Sequence, residues 1–185
     1  MERYLVKDLM VPISEYATVT VGTTFLEALQ VLEKAQEAYT VSKYQHRAIL
    51  VLDSTGSVVG KISQLRALKA IQPEVEVTGE IDEIRHFRFS ENYLTDLRDR
   101  YRLQGKIIKK ETLIEAAEKK VEEFMQAPTP GEFVSEDCTL DIAIHRLIAG
   151  GHMSLLVIRE KRIIGVLRVS DVFAALFHGM MAAEA

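Results

Sequence analysis

The spacing of apolar residues along the chain changes in a fixed order, and the same order occurs twice. In the second half, apolar residues recur every three or four positions from Leu140 to Ile148 and the pattern ends at Gly150 and Gly151, which predicts an amphipathic helix. In the first half, Thr24 and Glu27 form a Thr-x-x-Glu capping box, which predicts the start of an equivalent helix. The two helices correspond at one constant separation, as in the pairs Thr24 and Thr139, Ala28 and Ala143, and Leu32 and Leu147.

Each of these helices is followed by two short apolar runs that a polar turn separates. The runs are "AILVL" and "VVGKI" in the first copy, and "LLVI" and "IIGVL" in the second. Branched residues in short runs around a polar turn predict a β-hairpin. A further helix follows each hairpin. The segments "TVTV" and "EFVS" predict a short strand as the first element of each copy. The predicted order in each copy is therefore β-α-β-β-α.

Composition indicates a globular protein and gives no sign of nucleic-acid or membrane binding. The chain has 185 residues, of which 48% are hydrophobic and 27% charged, with a formal net charge of -4. An acidic balance produces no overall basic field toward nucleic acid or anionic lipid. No stretch approaches the roughly 20 apolar residues of a membrane span. Because Cys138 is the single cysteine, we expect a reducing, cytoplasmic setting.

The ordered motifs resemble a pair of CBS domains, the Bateman module. The words "DLM", "TTFLEAL", "RAILVLD" and "VVGKIS" recur as "EFM", "CTLDIAI", "SLLVI" and "IIGVLRVSD". The resemblance implies an α/β fold of two pseudosymmetric CBS repeats, which stack because one repeat alone leaves its sheet uncovered. We assign residues 1–72 to the first repeat, 73–110 to a charged helical insertion and 111–185 to the second repeat.

The resemblance also implies a function as a non-catalytic regulator. CBS pairs commonly bind an adenosyl small molecule, such as AMP, ADP, ATP or S-adenosylmethionine, in clefts between the repeats. By that resemblance, no cofactor is required, the protein forms a homodimer, and an unknown protein partner receives the signal. No catalytic or metal site is predicted, since the chain has no P-loop, no G-x-S-x-G motif and no paired metal-ligand spacing.

The resemblance implies one ribose site. In the family, a small hydroxyl residue stands three positions after the hairpin glycine, and an aspartate stands six positions after it. After Gly60 the hydroxyl residue is present as Ser63, but an arginine occupies the aspartate position. After Gly165 the aspartate is present as Asp171, but Arg168 occupies the hydroxyl position. The ribose is therefore expected at Asp171, whose ionised carboxylate accepts hydrogen bonds from both hydroxyls.

Further ligand contacts also follow from the resemblance. The basic position that faces the phosphates in the family falls on or next to Arg47. The adenine is then expected against strands of the other repeat, near Thr18, Val19 and Ala48. Backbone amides and carbonyls on an apolar wall are sufficient to recognise the edge of a base.

Several of these residues also have a structural interpretation. Asp171 suits the first turn of the last helix, where the helix dipole favours an acidic residue. Ser63 suits a helix cap, and Arg168 suits an exposed strand end. The sequence leaves both interpretations open for each residue.

Two other functions remain open at this stage. The first is a CBS-type interaction or dimerisation module that binds no nucleotide, because each copy carries only half of the ribose signature. The second is a nucleic-acid-associated regulator that uses a basic middle arm, which comprises Arg98, Arg100, Arg102, Lys106, Lys109 and Lys110. The interspersed Asp96 and Asp99 make nucleic-acid binding the weaker hypothesis.

Overall fold

The computed structural model describes residues 4–39, 46–71 and 108–183. The helices in these ranges are α1 (Val6–Leu9), α2 (Phe25–Ala38), α3 (Gln64–Ile71), α4 (Lys110–Glu118), α5 (Leu140–Gly150) and α6 (Val169–Ala183). The strands are β1 (Val11–Pro12), β2 (Thr18–Thr20), β3 (Ala48–Leu52), β4 (Val58–Ser63), β5 (Phe133–Ser135), β6 (Ser154–Arg159) and β7 (Arg162–Arg168). Three-residue 3-10 turns lie at Ile13–Glu15, Val121–Glu123 and Pro130–Glu132.

The order of elements confirms the predicted α/β class and its two repeats. The first repeat is β2-α2-β3-β4-α3, and the second is β5-α5-β6-β7-α6. The predicted capping box is present, since the amide of Thr24 donates to Glu27 Oε2 at 2.8 Å and the amide of Glu27 donates to Thr24 Oγ1 at 3.3 Å. Helix α5 ends as predicted at its glycine pair, where Gly151 has a φ of 61°.

Each repeat builds a small sheet around a buried central strand. Strand β3 runs parallel to β2 and antiparallel to β4, and β6 pairs in the same way with β5 and β7. The second sheet gains β1 as a fourth strand, where Val11 pairs antiparallel with Val166. Strands buried on both faces carry uninterrupted apolar runs, which explains "AILVL" in β3 and "LLVI" in β6.

The core of each repeat includes a residue from the segment that precedes the other repeat. Val6, at the start of the chain, packs among the core residues of the second repeat, including Leu155. Val121 packs in the same way into the core of the first repeat, beside Ile49. Both valines are 0% exposed. The two repeats therefore complete one another's cores.

The glycines of the two hairpins allow these preceding segments to approach closely. A Cβ atom at Gly60 would lie 2.2 Å from the Sδ atom of Met125. A Cβ atom at Gly165 would lie 2.6 Å from the carbonyl oxygen of Val11. The chain itself thus covers both glycines, and this packing explains why each hairpin has a glycine at that position.

The two sheets also pack directly on each other. Leu50 of β3 and Leu156 of β6, both 0% exposed, belong to one apolar cluster together with Val11, Tyr16 and Val166. This contact brings the ends of β4 and β7 to the same side of the molecule, where the candidate site lies.

Most of the predicted insertion, 73–110, lies outside the described residues. Its last residue, Lys110, begins α4, which packs through Ala116 against Phe25 and Ala70 of the first repeat. Four of the six residues of the basic middle arm fall within the undescribed range 72–107, whereas Lys109 and Lys110 are described. Within the ranges that are described, no helix has both the length and the apolar character needed to cross a membrane.

Candidate functional site

A cavity of about 270 Å³ lies where the hairpin of the first repeat meets the junction of β7 and α6 in the second. Four residues proposed from the sequence line it, namely Arg47, Ala48, Ser63 and Arg168. Ser63 and Arg168 stand at the same position of the ribose signature, three residues after the hairpin glycine, in the first and second repeat. The structure brings both residues to a single cavity.

Strand geometry explains which side chains face this cavity. Lys61 and Ser63 are two positions apart on β4, so their side chains point to the same side of the sheet. Ala48 pairs with Ser63 across the first sheet, and Ser154 pairs with Arg168 across the second. All five residues line the cavity.

The charged residues that line the cavity are cations. Arg47 and Lys61 come from the first repeat and Arg168 from the second, and none of the described lining residues is acidic. Much of the remaining surface is apolar and includes Val169 and Phe173. A concave site with an apolar wall and a few convergent polar groups is typical of small-molecule binding.

Asp171 lies behind this lining and holds Arg168 in place. Its two carboxylate oxygens accept hydrogen bonds from Nε and Nη2 of Arg168, each at 2.6 Å. The Arg168 side chain is 5% exposed and that of Asp171 is 10% exposed. Burial by itself lowers the pKa of Arg168, but the hydrogen bonds and the charge of Asp171 outweigh it and raise the pKa. The guanidinium also lies 5.3 Å from the ring centroid of Tyr39, within range of a cation–π contact.

Lys61 makes the second ion pair at the cavity, and this pair joins the two repeats. Its Nζ atom contacts Oε2 of Glu132, which is 2% exposed and immediately precedes β5. The other oxygen of Glu132 accepts from the hydroxyl of Thr129 at 3.1 Å and from its amide at 3.4 Å. Burial raises the pKa of Glu132, but the contacts with Lys61 and Thr129 outweigh burial and lower it.

An aromatic cluster supports one wall of the cavity. His46 is 0% exposed, and its ring centroid lies 4.7 Å from that of Tyr16 and 4.5 Å from that of Tyr39. Neither ring nitrogen of His46 has a hydrogen-bond partner among the described residues. Burial lowers the pKa of His46, and the nearby charge of Arg168 lowers it further. Tyr16 itself lines the cavity.

The predicted residues thus fall into two groups. Ser63 lines the cavity and also accepts a hydrogen bond from the amide of Arg66 at 3.3 Å, so that its structural interpretation as a cap of α3 is present as well. Asp171, Thr18 and Val19 are not among the described lining residues. Thr18 and Val19 lie in β2, where they pair with β3. The ligand contacts expected of all these residues stay predictions.

The sequence analysis missed the other described lining residues, which are Tyr16, Lys61, Met153, Ser154, Val169, Ser170 and Phe173. The signal for Lys61 was present, because it stands two positions before Ser63 in a predicted strand. Phe173 stands four positions after Val169 on α6 and therefore shares its face. No local signal identifies Tyr16 or Met153, which reach the cavity through tertiary packing. Among the described residues, no group of three or more His, Cys, Asp or Glu side chains is arranged to hold a metal ion.

Comparison with known proteins gives a match in sequence over most of the chain. The sequence profile of the CBS domain matches residues 6–73 and 121–178. No curated protein matches the chain in sequence. A CBS domain-containing protein of unknown function from Bacillus anthracis str. Ames Ancestor is similar in structure, with a TM-score of 0.63 and 21% identity. That alignment covers 96% of this chain and 95% of the other.

Two further structures with the same fold contain adenosyl compounds. CBSX2 in complex with AMP has a TM-score of 0.57 and 19% identity, and the alignment covers 95% of this chain and 97% of CBSX2. The CBS domain pair of MJ0100, in complex with 5'-methylthioadenosine and S-adenosyl-L-methionine, has a TM-score of 0.57 and 17% identity. That alignment covers 96% of this chain and 98% of the MJ0100 chain.

Proposed function

Since the chain belongs to the CBS domain family, we propose that it is a non-catalytic regulatory module that binds an adenine nucleotide or a related adenosyl ligand in the cavity between its repeats. The observation that carries the proposal is the charge of that cavity. Cationic side chains from both repeats line it, and its described lining residues include no acidic group. The bound state is then communicated to a partner protein, since a ligand shifts an equilibrium through its different affinities for two conformations.

The cationic side of the cavity suits phosphate groups. Arginine can bind phosphate oxygens through two parallel hydrogen bonds, and lysine binds them as a point charge. Arg47 and Lys61 supply these groups, the hydroxyl of Ser63 supplies a further donor, and Arg168 faces the same cavity while its Nε and Nη2 atoms bind Asp171. We therefore assign the phosphates of AMP, ADP or ATP to this side.

The apolar side suits the base. Ala48 and Val169 form a wall, and the ring of Phe173 stands 63% exposed at the same cavity. Aromatic rings contact other flat rings favourably in offset or edge-on arrangements. A volume of about 270 Å³ lies just below the roughly 300–1,000 Å³ usual for ligand pockets. A nucleotide bound here extends out of the cavity toward Phe173.

The ribose contact expected at Asp171 belongs to the same proposal. Each carboxylate oxygen has two acceptor positions, and the contact with Arg168 uses one on each oxygen. Asp171 therefore keeps acceptor capacity for hydroxyl groups. The adenine contacts expected of Thr18 and Val19 also belong to this proposal. Adenosyl ligands in CBSX2 and MJ0100 support the choice of ligand class.

The experiment is a thermal-shift titration with AMP, ADP, ATP and S-adenosylmethionine. A ligand present at about 100 times its Kd stabilises the native state by about 2.7 kcal/mol. We expect this stabilisation in the wild type and a reduced one in Arg47→Ala and Asp171→Ala. Lys34→Ala is the control, because it removes the same charge as Arg47→Ala from an exposed position on α2. If none of the four compounds changes the melting temperature at millimolar concentration, the proposed ligand class is wrong.

A second candidate function is that of an interaction module without a nucleotide. Helices α3 and α6 hold equivalent places at the ends of the two repeats, and both carry exposed apolar side chains. These are Leu65, Leu68, Phe173, Phe177, Met180 and Met181, each more than half exposed. Equivalent faces on the two repeats suit a symmetric contact with a second copy of the chain. We therefore include a homodimer through α3 and α6 in the proposal.

Sedimentation velocity tests the homodimer. Phe177→Lys places a charge in the face formed by α3 and α6, and we expect it to convert a dimer into a monomer. Ile148→Lys makes the same type of change on α5, where Ile148 is 76% exposed, and leaves the dimer intact. A monomeric wild type, or equal effects of the two variants, would contradict this interface.

A further inference from the structure

Lys61 belongs both to the cavity and to an ion pair between the repeats. Its side chain lines the cavity, and its Nζ atom contacts the carboxylate of Glu132. Lys61 lies on β4 of the first repeat, whereas Glu132 lies in the turn that leads into β5 of the second. The Lys61 side chain is 14% exposed, compared with 3% for Glu132.

Glu132 depends on Lys61 for its charge compensation. One of its oxygens accepts hydrogen bonds from Thr129, while Oε2 contacts Lys61. A carboxylate that water hardly reaches needs a counterion, because an unpaired buried charge is strongly unfavourable. Without a ligand, the positive charge of Lys61 is therefore largely neutralised by Glu132.

The backbone of Lys61 stays in place while its side chain is free to change partner. Its amide donates to the carbonyl of Gln126 and its carbonyl accepts from the amide of Gln126, each at 2.9 Å, so the backbone is anchored independently of the side chain. The lysine stem is long and flexible and ends in a compact ammonium group. Because Lys61 also lines the cavity, a turn of its Nζ atom from Glu132 toward a ligand there would require rotation about side-chain bonds only.

We propose that Lys61 is a phosphate-binding residue for which an anionic ligand competes with Glu132, so that Glu132 sets the affinity of the cavity for phosphate. This inference rests on the proposed nucleotide binding and deepens it. A phosphate that attracts Nζ removes compensation from Glu132 and so weakens a contact between the repeats. Coupling of this kind is reciprocal, so a change in the packing of the repeats also changes phosphate affinity.

The same charges select among adenosyl compounds. AMP carries a phosphate that the three lining cations attract, whereas adenosine carries no charge. S-adenosylmethionine carries a net positive charge, because its sulfonium and ammonium groups outnumber its single carboxylate, and the cationic lining disfavours it. We therefore expect the cavity to prefer AMP to adenosine, and adenosine to S-adenosylmethionine.

Isothermal titration calorimetry with AMP and with adenosine tests the competition. Glu132→Gln keeps the shape of the side chain and removes its charge, so we expect AMP to bind about tenfold more tightly and adenosine to be unaffected. Lys61→Met removes the contested cation, so we expect AMP to bind about tenfold more weakly and adenosine again to be unaffected. Lys7→Met is the matched control, because Lys7 pairs with Asp137 at the surface and does not line the cavity.

The outcomes separate this inference from the proposed function. If the wild type binds AMP but Glu132→Gln weakens that binding, or changes AMP and adenosine equally, the competition is wrong and the nucleotide site stands. If the wild type binds neither compound, this inference is wrong, and the proposed function is then decided separately by the thermal-shift titration with ADP, ATP and S-adenosylmethionine. Should the single variants not fold, the double variant Lys61→Met with Glu132→Gln leaves neither charge unpaired. It is expected to bind AMP more weakly than the wild type does, and an unchanged AMP affinity would overturn the inference.

Discussion

The ion pair of Arg168 and Asp171 leads to a sharp prediction about stability. Asp171→Asn keeps the size of the side chain but replaces a carboxylate that accepts two hydrogen bonds by an amide with one acceptor oxygen. Arg168 is 4% exposed, so water compensates little of the lost charge. The substitution therefore leaves a buried guanidinium incompletely compensated.

The expected cost follows from this burial. Removing one partner of a buried ion pair costs about 3–5 kcal/mol. We expect about 3 kcal/mol for Asp171→Asn, the lower end of that range, because the amide oxygen still accepts one bond and Arg168 keeps its contact with the ring of Tyr39. For a chain of this length, that loss corresponds to a decrease of about 6–12 °C in the melting temperature.

Urea denaturation followed by far-ultraviolet circular dichroism measures the change. The matched control is Asp137→Asn, which removes the carboxylate from the surface pair with Lys7, whose side chains are 43% and 69% exposed. Exposed pairs contribute little to stability, so the control is expected to unfold at nearly the wild-type urea concentration. The contrast between the two variants isolates the effect of burial.

A second variant examines the pairing itself. Arg168→Met in the Asp171→Asn background removes the uncompensated cation, so we expect it to recover part of the lost stability. If Asp171→Asn loses less than about 1 kcal/mol, or if the second substitution adds its own full cost, the burial argument for this pair is refuted.

Two further predictions concern His46 and the hairpin glycines. Burial lowers the pKa of His46 below its ordinary value of 6.5, so the unfolded chain takes up a proton below that pH that the folded state does not. The contribution of His46 to stability should therefore be complete above about pH 6.5 and decrease as the pH falls below it, and urea denaturation between pH 5 and 7.5 should show a weaker fall for His46→Phe. In thermal denaturation, Gly165→Ala should cost about 3 kcal/mol, because its Cβ would meet the backbone oxygen of Val11. Gly60→Ala should cost about 1 kcal/mol, because the flexible side chain of Met125 can move aside, and equal costs would contradict this distinction.

The regular elements could be predicted from the sequence because their signals are local. The apolar spacing in α5 and the capping box of α2 involve residues three or four positions apart, which lie on one helical face. The hairpins were equally readable, since "AILVL" and "VVGKI" match β3 and all but the last residue of β4. Helix α4 begins at Lys110, inside the range assigned to the insertion, and it packs through Ala116 against the first repeat, a contact that the local sequence pattern does not show.

The candidate site was only partly predictable. Arg47, Ala48, Ser63 and Arg168 were named from the resemblance, and the structure places all four at one cavity. The contact of Arg168 with Asp171 spans only three residues, but it crosses the junction of a strand and a helix, where neither periodicity applies. Because of this contact, Arg168 lines the cavity and Asp171 lies on the side of Arg168 that faces away from it.

The sequence by itself determined that one β-α-β-β-α unit occurs twice and the order of its strands and helices, with several of their starts one residue from the observed ones, because those features depend on neighbours along the chain. Only the tertiary structure decided that Val6 and Val121 complete the opposite cores, and that Lys61 meets Glu132. Such contacts join residues far apart in sequence, and they depend on how the two sheets pack. The charge of the cavity arises at that level, because its cations come from different repeats and each partner carboxylate that the structure describes lies behind the lining.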